Sequence, residues 1–213
     1  MKPIFCHNEK ESDNISDLVS PGLTIDHSVF KDVIKYGFIL GPKTPFREIH
    51  RKHKIVVKKK ETLRDVEEIK NLFILYLKES IMKSIGKNEK IGLFLSGGVD
   101  STSLAIILGN YFKGLEVHTF TAYFENNTEE VEKAREISEK YNFIHHVVKI
   151  NENDFFNWWE IIKAIGMPID DMASLPLFKL AKEASISGIS VVLLGDRNDE
   201  LWCGYDEYYN LKK

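Results

Sequence analysis

The chain has 213 residues, a formal net charge of -3 and 43% hydrophobic residues. That is enough for one globular domain with a real core and a small appendage, and the near-balanced charge gives no whole-protein argument for nucleic-acid or membrane binding. No uninterrupted apolar stretch is long enough to cross a bilayer, residues 1–20 hold no apolar signal-peptide core, and two distant cysteines, Cys6 and Cys203, make no disulfide framework, so a reducing cytoplasm is the expected compartment.

Residues 7–21 are dominated by Asn, Ser, Asp and Glu and end in Pro21-Gly22, which reads as a mobile tail or loop. From Asp26 to Leu40 the spacing of Val29, Phe30, Val33, Ile34 and Phe38 fits a short helix running into an extended segment, broken by Gly41-Pro42 and Thr44-Pro45. Ile55-Val56-Val57 is flanked by Arg51–Lys54 and Lys58–Lys60. This reads as a short edge strand protected by charge, with a basic binding patch as the alternative. Residues 1–60 are accordingly taken as an N-terminal extension and 61–213 as the main domain.

Residues 61–84 carry Leu63, Val66, Ile69, Leu72, Phe73, Leu75, Tyr76 and Leu77 at helical spacing, with Gly86 where a C-terminal glycine belongs. A regular order then begins. Strands are expected over 91–95, 115–124, 143–150 and 189–194. Helices are expected over 101–112, 129–141, 155–165 and 177–185. Strands alternating with helices predict an α/β fold, a parallel twisted sheet with helices on both faces.

In such sheets ligands bind beyond the carboxyl ends of the strands. Ser96-Gly97-Gly98-Val99-Asp100-Ser101 lies there, directly after the first strand of the series and directly before a helix. Two glycines let the backbone approach an anion closely, and the amides and dipole of the following helix favour negative charge. Ser96, Ser101 and Thr102 add hydroxyl donors. No Gly-Lys-Ser/Thr is present, so this is not the Walker loop, and no Gly-x-Ser-x-Gly elbow surrounds Ser96. An acid beside a phosphate site is repulsive unless a cation lies between them, so Asp100 is expected to hold Mg²⁺ against the phosphates.

The fourth strand runs into Leu194-Gly195-Asp196-Arg197-Asn198-Asp199-Glu200-Leu201. If it neighbours the first, its end lies beside the phosphate loop, and Asp199 shares the cation with Asp100. Taken alone, the acids read as the first turn of a solvated helix. Trp158-Trp159 reads as core plus partner surface. His145 and His146 must face opposite ways on a strand, which disfavours a shared ion. Tyr205, Tyr208 and Tyr209 read as packing of a terminal helix, or as an interaction surface.

These motifs resemble the synthetase domain of the asparagine synthetase family. Ser96–Ser101 resembles its pyrophosphate loop. Gly195–Leu201 followed by Gly204-Tyr205 resembles its Gly-Glu-Gly-x-Asp-Glu-Leu-Phe-x-Gly-Tyr signature. Between them, His118–Ala122, His145-His146 and Pro168–Pro176 resemble further family segments, and Tyr36–Phe46 resembles the stretch leading into the domain.

The resemblance implies an adenine nucleotide alpha hydrolase-like fold and an AMP-forming amide ligase. The family binds ATP and Mg²⁺, adenylates a carboxylate, releases pyrophosphate and lets ammonia displace AMP. It implies that Leu95, Ala122, Leu194 and Gly195 contact the nucleotide, and that Ser96, Gly97, Gly98, Val99 and Ser101 form the pyrophosphate loop. Asp100 and Asp199 would bind the metal, and Asp196 and Asp199 would be catalytic, Asp196 in the place of the family's glutamate.

Asp196 is one methylene shorter than that glutamate. Arg197 stands where the family has glycine, and Met167 where it often has an acid; these departures bear on the acceptor more than on ATP. Residue 2 is Lys and Cys6 is internal, so glutamine hydrolysis is not expected of this chain. Expected partners are a small carboxylate substrate, ammonia, a separate glutaminase or C-terminal-half subunit, and a second copy in a homodimer. A nucleotide-binding regulatory subunit without ligase activity is the alternative, and a nucleobase- or tRNA-modifying ATP pyrophosphatase fits the second motif less well.

Overall fold

The computed structural model describes residues 4–36, 38–52, 65–124, 128–169, 171–196 and 199. In chain order these form β1 (Ile4–His7), β2 (Lys10–Ser12), α1 (Val29–Tyr36), β3 (His50–Lys52), α2 (Val66–Ile85), β4 (Lys90–Phe94), α3 (Val99–Tyr111), β5 (Glu116–Phe124), α4 (Glu129–Lys140), β6 (Ile144–Ile150), α5 (Trp158–Ile165), α6 (Ser174–Ile186) and β7 (Val192–Leu193). The chain divides into two compact units, Met1–Glu61 with Glu152–Leu175, and Thr62–Asn151 with Pro176–Lys213. The first unit is therefore built from two stretches separated in sequence by most of the second.

The first unit corrects the expectation of a tail over residues 7–21. β1 and β2 form an antiparallel hairpin in which His7 pairs with Lys10, and Asn8 takes the left-handed conformation of the tight turn at φ 55°. A 3₁₀ turn at Ile15–Leu18 comes next, with the Ser16 amide donating to the Asn14 side chain. Ile15 and Leu18 are buried with Phe5 and Ile49 in one small core. The polar composition hid these apolar anchors because they are spaced too irregularly to form a periodic pattern. β3 pairs with the other edge of β1. The strand expected at Ile55–Val57 lies outside the described residues, and the pairing in this region is made by His50–Lys52 instead.

The second unit holds a four-stranded parallel sheet in the order β6-β5-β4-β7. Its two faces arise from the alternation along β4 and β5. Ile91, Leu93, Leu95 and Val117 join a core with Ile81 and Ile85 of α2, Leu104, Ala105 and Leu108 of α3, and Ala134 of α4. Phe120, with Phe94, Ala122 and Val148, packs against Leu180 and Ala184 of α6 on the opposite face. Burial on both faces explains why β4 reads as a continuous apolar run. α2 starts at Asp65, whose side chain accepts from the Glu67 amide, and stops at Gly86 with φ 60°. α6 starts a turn earlier than its apolar spacing indicated, because Pro176 sits in the first turn, where a missing amide costs little. The helix expected over 155–165 opens as a 3₁₀ turn, Glu152–Asn157, before α5, and β7 is only two residues long.

His145 and His146 diverge to the two faces. On the α4 side the hydrogen bonds have a definite direction. Ser138 Oγ donates to the Ala134 carbonyl at 2.7 Å, so it accepts from Thr119 Oγ1 at 2.8 Å, and Thr119 in turn accepts from His145 Nδ1 at 2.9 Å. His145 Nε2 is then a bare acceptor, buried without a partner among the described residues. A proton there would be a buried donor with nothing to receive it. Burial holds the His145 pKa below the ordinary 6.5, with Arg135 and His146 adding to the effect and Glu139 opposing it.

Between that lowered value and 6.5 the unfolded chain therefore binds more protons than the folded one, so stability rises with pH and is lost as pH falls below about 6.5. The melting temperature of the wild type is expected to drop more steeply from pH 7.5 to 5.5 than that of a His145→Asn variant. That variant keeps a donor for Thr119 and takes up no proton. Equal slopes would show that His145 is not responsible.

Candidate functional site

Parallel pairing places the carboxyl ends of β4 and β7 side by side, with Gly92 opposite Val192 and Leu93 opposite Leu193. The segments leaving these two strands are consequently brought together. After β4 the chain turns at Gly97, which has φ 76°, and enters α3 with Gly98 at the N-cap. Gly98 has no side chain to cap with, so the first-turn amides of α3 are left for water or a ligand. The turn is held by its serines. Ser101 Oγ lies 3.2 Å from both the Ser96 amide and Ser96 Oγ, and it donates to the Gly98 carbonyl at 3.3 Å. A Cβ on Gly97 would fall 2.8 Å from Lys133 Cβ, so α4 closes on the turn from the β5 side.

After β7, Gly195 is pressed against the start of α3. A Cβ placed there would lie 2.9 Å from the Ser101 nitrogen and 3.0 Å from Asp100 Cβ. Between these segments opens a cavity of about 390 Å³. From β4 and its loop it is lined by Phe94, Leu95, Ser96, Gly98, Val99, Asp100 and Ser101. Phe120 to Phe124 line it from β5, and Leu194, Gly195 and Asp196 from beyond β7. Pro176, Leu177 and Leu180 of α6 and Glu130 of α4 complete it.

Of the residues singled out in the sequence, Leu95, Ser96, Gly98, Val99, Asp100, Ser101, Ala122, Leu194, Gly195 and Asp196 line this one cavity; Gly97 shapes the turn behind it. Asp199 is half-buried and is not among the lining residues. Arg197, Asn198, Glu200 and Tyr205 lie outside the described residues. The α6 side chains and Glu130 were not singled out. For α6 a signal existed in the helical spacing of Leu177 and Leu180. For Glu130 there was none, because acids are common in the first turn of any helix.

The lining is apolar toward Phe94, Phe120, Leu177 and Leu180, and polar toward Ser96, Ser101, Asp100, Glu130 and Asp196. A flat apolar group and a polyanion would thus find different ends of one cavity. The lining carries three carboxylates and, among the described lining residues, no Lys, Arg or His. Those carboxylates oppose a polyanion, and a divalent cation would offset them. The hard oxygen donors of Asp100 would suit Mg²⁺, which binds through one or two carboxylates and takes its other ligands from phosphates and water. Among the described residues no three His, Cys, Asp or Glu side chains gather as a metal cage.

A parallel sheet covered by helices on both faces, with a glycine-rich strand-to-helix turn at its carboxyl edge, defines an α/β protein whose ligand crevice lies beyond the strand ends. Residues 75–213 match the family model of asparagine synthase, and the chain belongs to that family.

It is 27% identical over 155 residues to the glutamine-hydrolysing asparagine synthetase 1 of Bacillus subtilis, covering 70% of this chain and 24% of that protein. It is 26% identical over 186 residues to a Methanocaldococcus jannaschii protein provisionally named glutamine-hydrolysing asparagine synthetase 2, covering 84% and 32%. The chain thus spans a third or less of the length of these relatives. Among solved structures, a glutamine-dependent NAD⁺ synthetase from Acinetobacter baumannii in complex with ADP aligns with a TM-score of 0.45 at 19% identity, over 78% of this chain and 34% of that one. Among the described residues, no helix is long and apolar enough to cross a membrane.

Proposed function

We propose that the cavity binds ATP with Mg²⁺ and that the protein takes part in an AMP-forming amide ligation of the asparagine synthetase type. A carboxylate attacks the α-phosphate, pyrophosphate leaves, and ammonia displaces AMP from the activated acyl group. The observation that carries this reading is the meeting of Ser96–Ser101 and Leu194–Asp196 at two adjacent strand ends around one cavity. The relatives' names support the reaction class.

In this reading the apolar end, with Ala122 and Leu95, holds the base. Leu194 and Gly195 bound the sugar side. The first-turn amides of α3, with Ser96, Gly98, Val99 and Ser101, hold the β- and γ-phosphates as the α–β bond breaks. Mg²⁺ would supply charge neutralisation between Asp100 and the phosphates, with Asp199 as the second carboxylate. Asp196, on the cavity wall, would orient the attacking carboxylate or the incoming amine. The protein's contribution is positioning and charge stabilisation rather than covalent chemistry. Ammonia would come from a separate glutaminase, and a homodimer or a complementary subunit would complete the acceptor pocket.

The test is ATP–pyrophosphate exchange with magnesium across a panel of amino-acid carboxylates, with AMP measured directly. Exchange that depends on one carboxylate is the expected result. Tight ATP binding with no exchange and no AMP for any carboxylate would favour a nucleotide-binding regulatory subunit. Absence of ATP binding would defeat both readings.

A further inference from the structure

Beneath the cavity, on the α6 face of the sheet, lies a chain of titratable groups that the proposed reaction does not use. His118 Nε2 is 2.9 Å from Glu116 Oε1, and His118 Nδ1 is 2.9 Å from His146 Nε2. A carboxylate only accepts, so His118 carries its proton on Nε2. In the neutral pair, His118 Nδ1 is then the acceptor and His146 Nε2–H the donor. The His146 ring in turn stacks on Phe120, with centroids 4.6 Å apart and planes at 11°. Phe120 is fully buried, forms part of the cavity floor and meets Phe94 edge-on at 6.4 Å. The hydrogen-bonded pair and the floor of the cavity therefore share one ring stack.

This arrangement has a definite proton capacity. One added proton goes to His146 Nδ1 and leaves both hydrogen bonds intact. A second would place N–H groups on both of the nitrogens that now lie 2.9 Å apart, and the contact must then break. The rings cannot separate without disturbing the stack on Phe120. Resting on the nucleotide-site reading above, we propose that His118 and His146 are positioning residues for the adenine-nucleotide cavity. The pair seats Phe120 while it carries no more than one proton, and its second protonation displaces that ring and weakens nucleotide binding.

Besides Glu116, Glu183 on α6 is the charged group that acts on the pair among the described residues. Lys90 is the register partner of Glu116, and Lys179 donates to the Lys149 carbonyl. Burial holds the pKa of His146 below its ordinary value, with His118 adding to this and Glu183 opposing it. A bound nucleotide that requires the seated ring disfavours the second protonation. Affinity is then lost as pH falls. One unit of difference between free and bound protein corresponds to about a tenfold change in affinity.

The experiment measures Mg²⁺–ATP affinity by calorimetry from about pH 8 to about pH 5 for the wild type, His146→Gln and His146→Phe, with circular dichroism at each pH to establish folding. Gln keeps a donor toward His118, Phe keeps the stack, and neither takes up a proton. The titration of ATP itself is common to all three proteins. The expected result is a loss of about tenfold at the acid end for the wild type beyond that of both variants. Parallel profiles in wild type and variants would overturn this inference and leave the nucleotide site standing. No ATP binding at any pH would overturn the nucleotide site and this inference together.

Discussion

Gly195→Ala is expected to weaken Mg²⁺–ATP binding by about 100-fold while the protein stays folded, because displacement of a positioned group by about 1 Å can cost that much. The added methyl would sit 2.9 Å from the Ser101 nitrogen, 3.0 Å from Asp100 Cβ and 3.1 Å from the Asp100 carbonyl carbon. These atoms belong to the backbone and stem of the first turn of α3. They cannot swing aside as the far end of a lysine would. Relief must come from moving the start of α3 away from the end of β7, which separates the two halves of the proposed phosphate site. Calorimetry with Mg²⁺–ATP, with a melting curve as control, measures it. Wild-type affinity in the variant would show that the nucleotide does not use the junction of these two segments.

That junction was legible in the sequence because it depends on simple features. Ile91–Leu95 and Ile189–Leu194 are apolar runs without alternation, which is what burial on both sheet faces demands. Glycines and acids come directly after each run. Once β7 lies beside β4, the rest is geometry. The divergence of His145 and His146 was legible for the same reason, since a strand turns each successive side chain to the opposite face.

The unreadable parts depend on tertiary context. The hairpin of β1 and β2 is anchored by Phe5, Ile15 and Leu18 against Ile49, a set no periodic pattern connects. Glu130 reaches the cavity because α4 closes on Gly97 through Lys133, and nothing in the local sequence marks that approach. The coupling of His118 to His146 required knowing that β6 pairs with β5 in the register that sets His146 opposite Phe120. In the parallel sheet, sequence indicates the strands, and pairing decides which side chains meet.

Asp100→Asn should change ATP binding in opposite directions with and without magnesium. Asp100, Glu130 and Asp196 line the cavity, and no Lys, Arg or His accompanies them among the described lining residues. Two unit charges about 4 Å apart repel by about 4 kcal/mol at an effective dielectric of about 20. Without a divalent cation the carboxylates therefore oppose the triphosphate, and removing one of them should strengthen the residual binding measured in EDTA.

With magnesium present the same carboxylate is proposed to hold the cation against the phosphates, and its loss removes one of the few protein ligands such an ion uses. Binding should then weaken, and AMP formation should fall by about 100-fold or more, the scale seen when one preorganised charge-stabilising group is lost. A manganese titration tracked by electron paramagnetic resonance reports the metal directly, apart from turnover. It should show one site lost in the variant when nucleotide is present. The crossing of the two effects is the decisive feature. A general loss of folding would weaken binding under both conditions, and a carboxylate remote from the phosphates would change neither. Only an acid that holds the metal against the phosphates reverses sign when the metal is withdrawn.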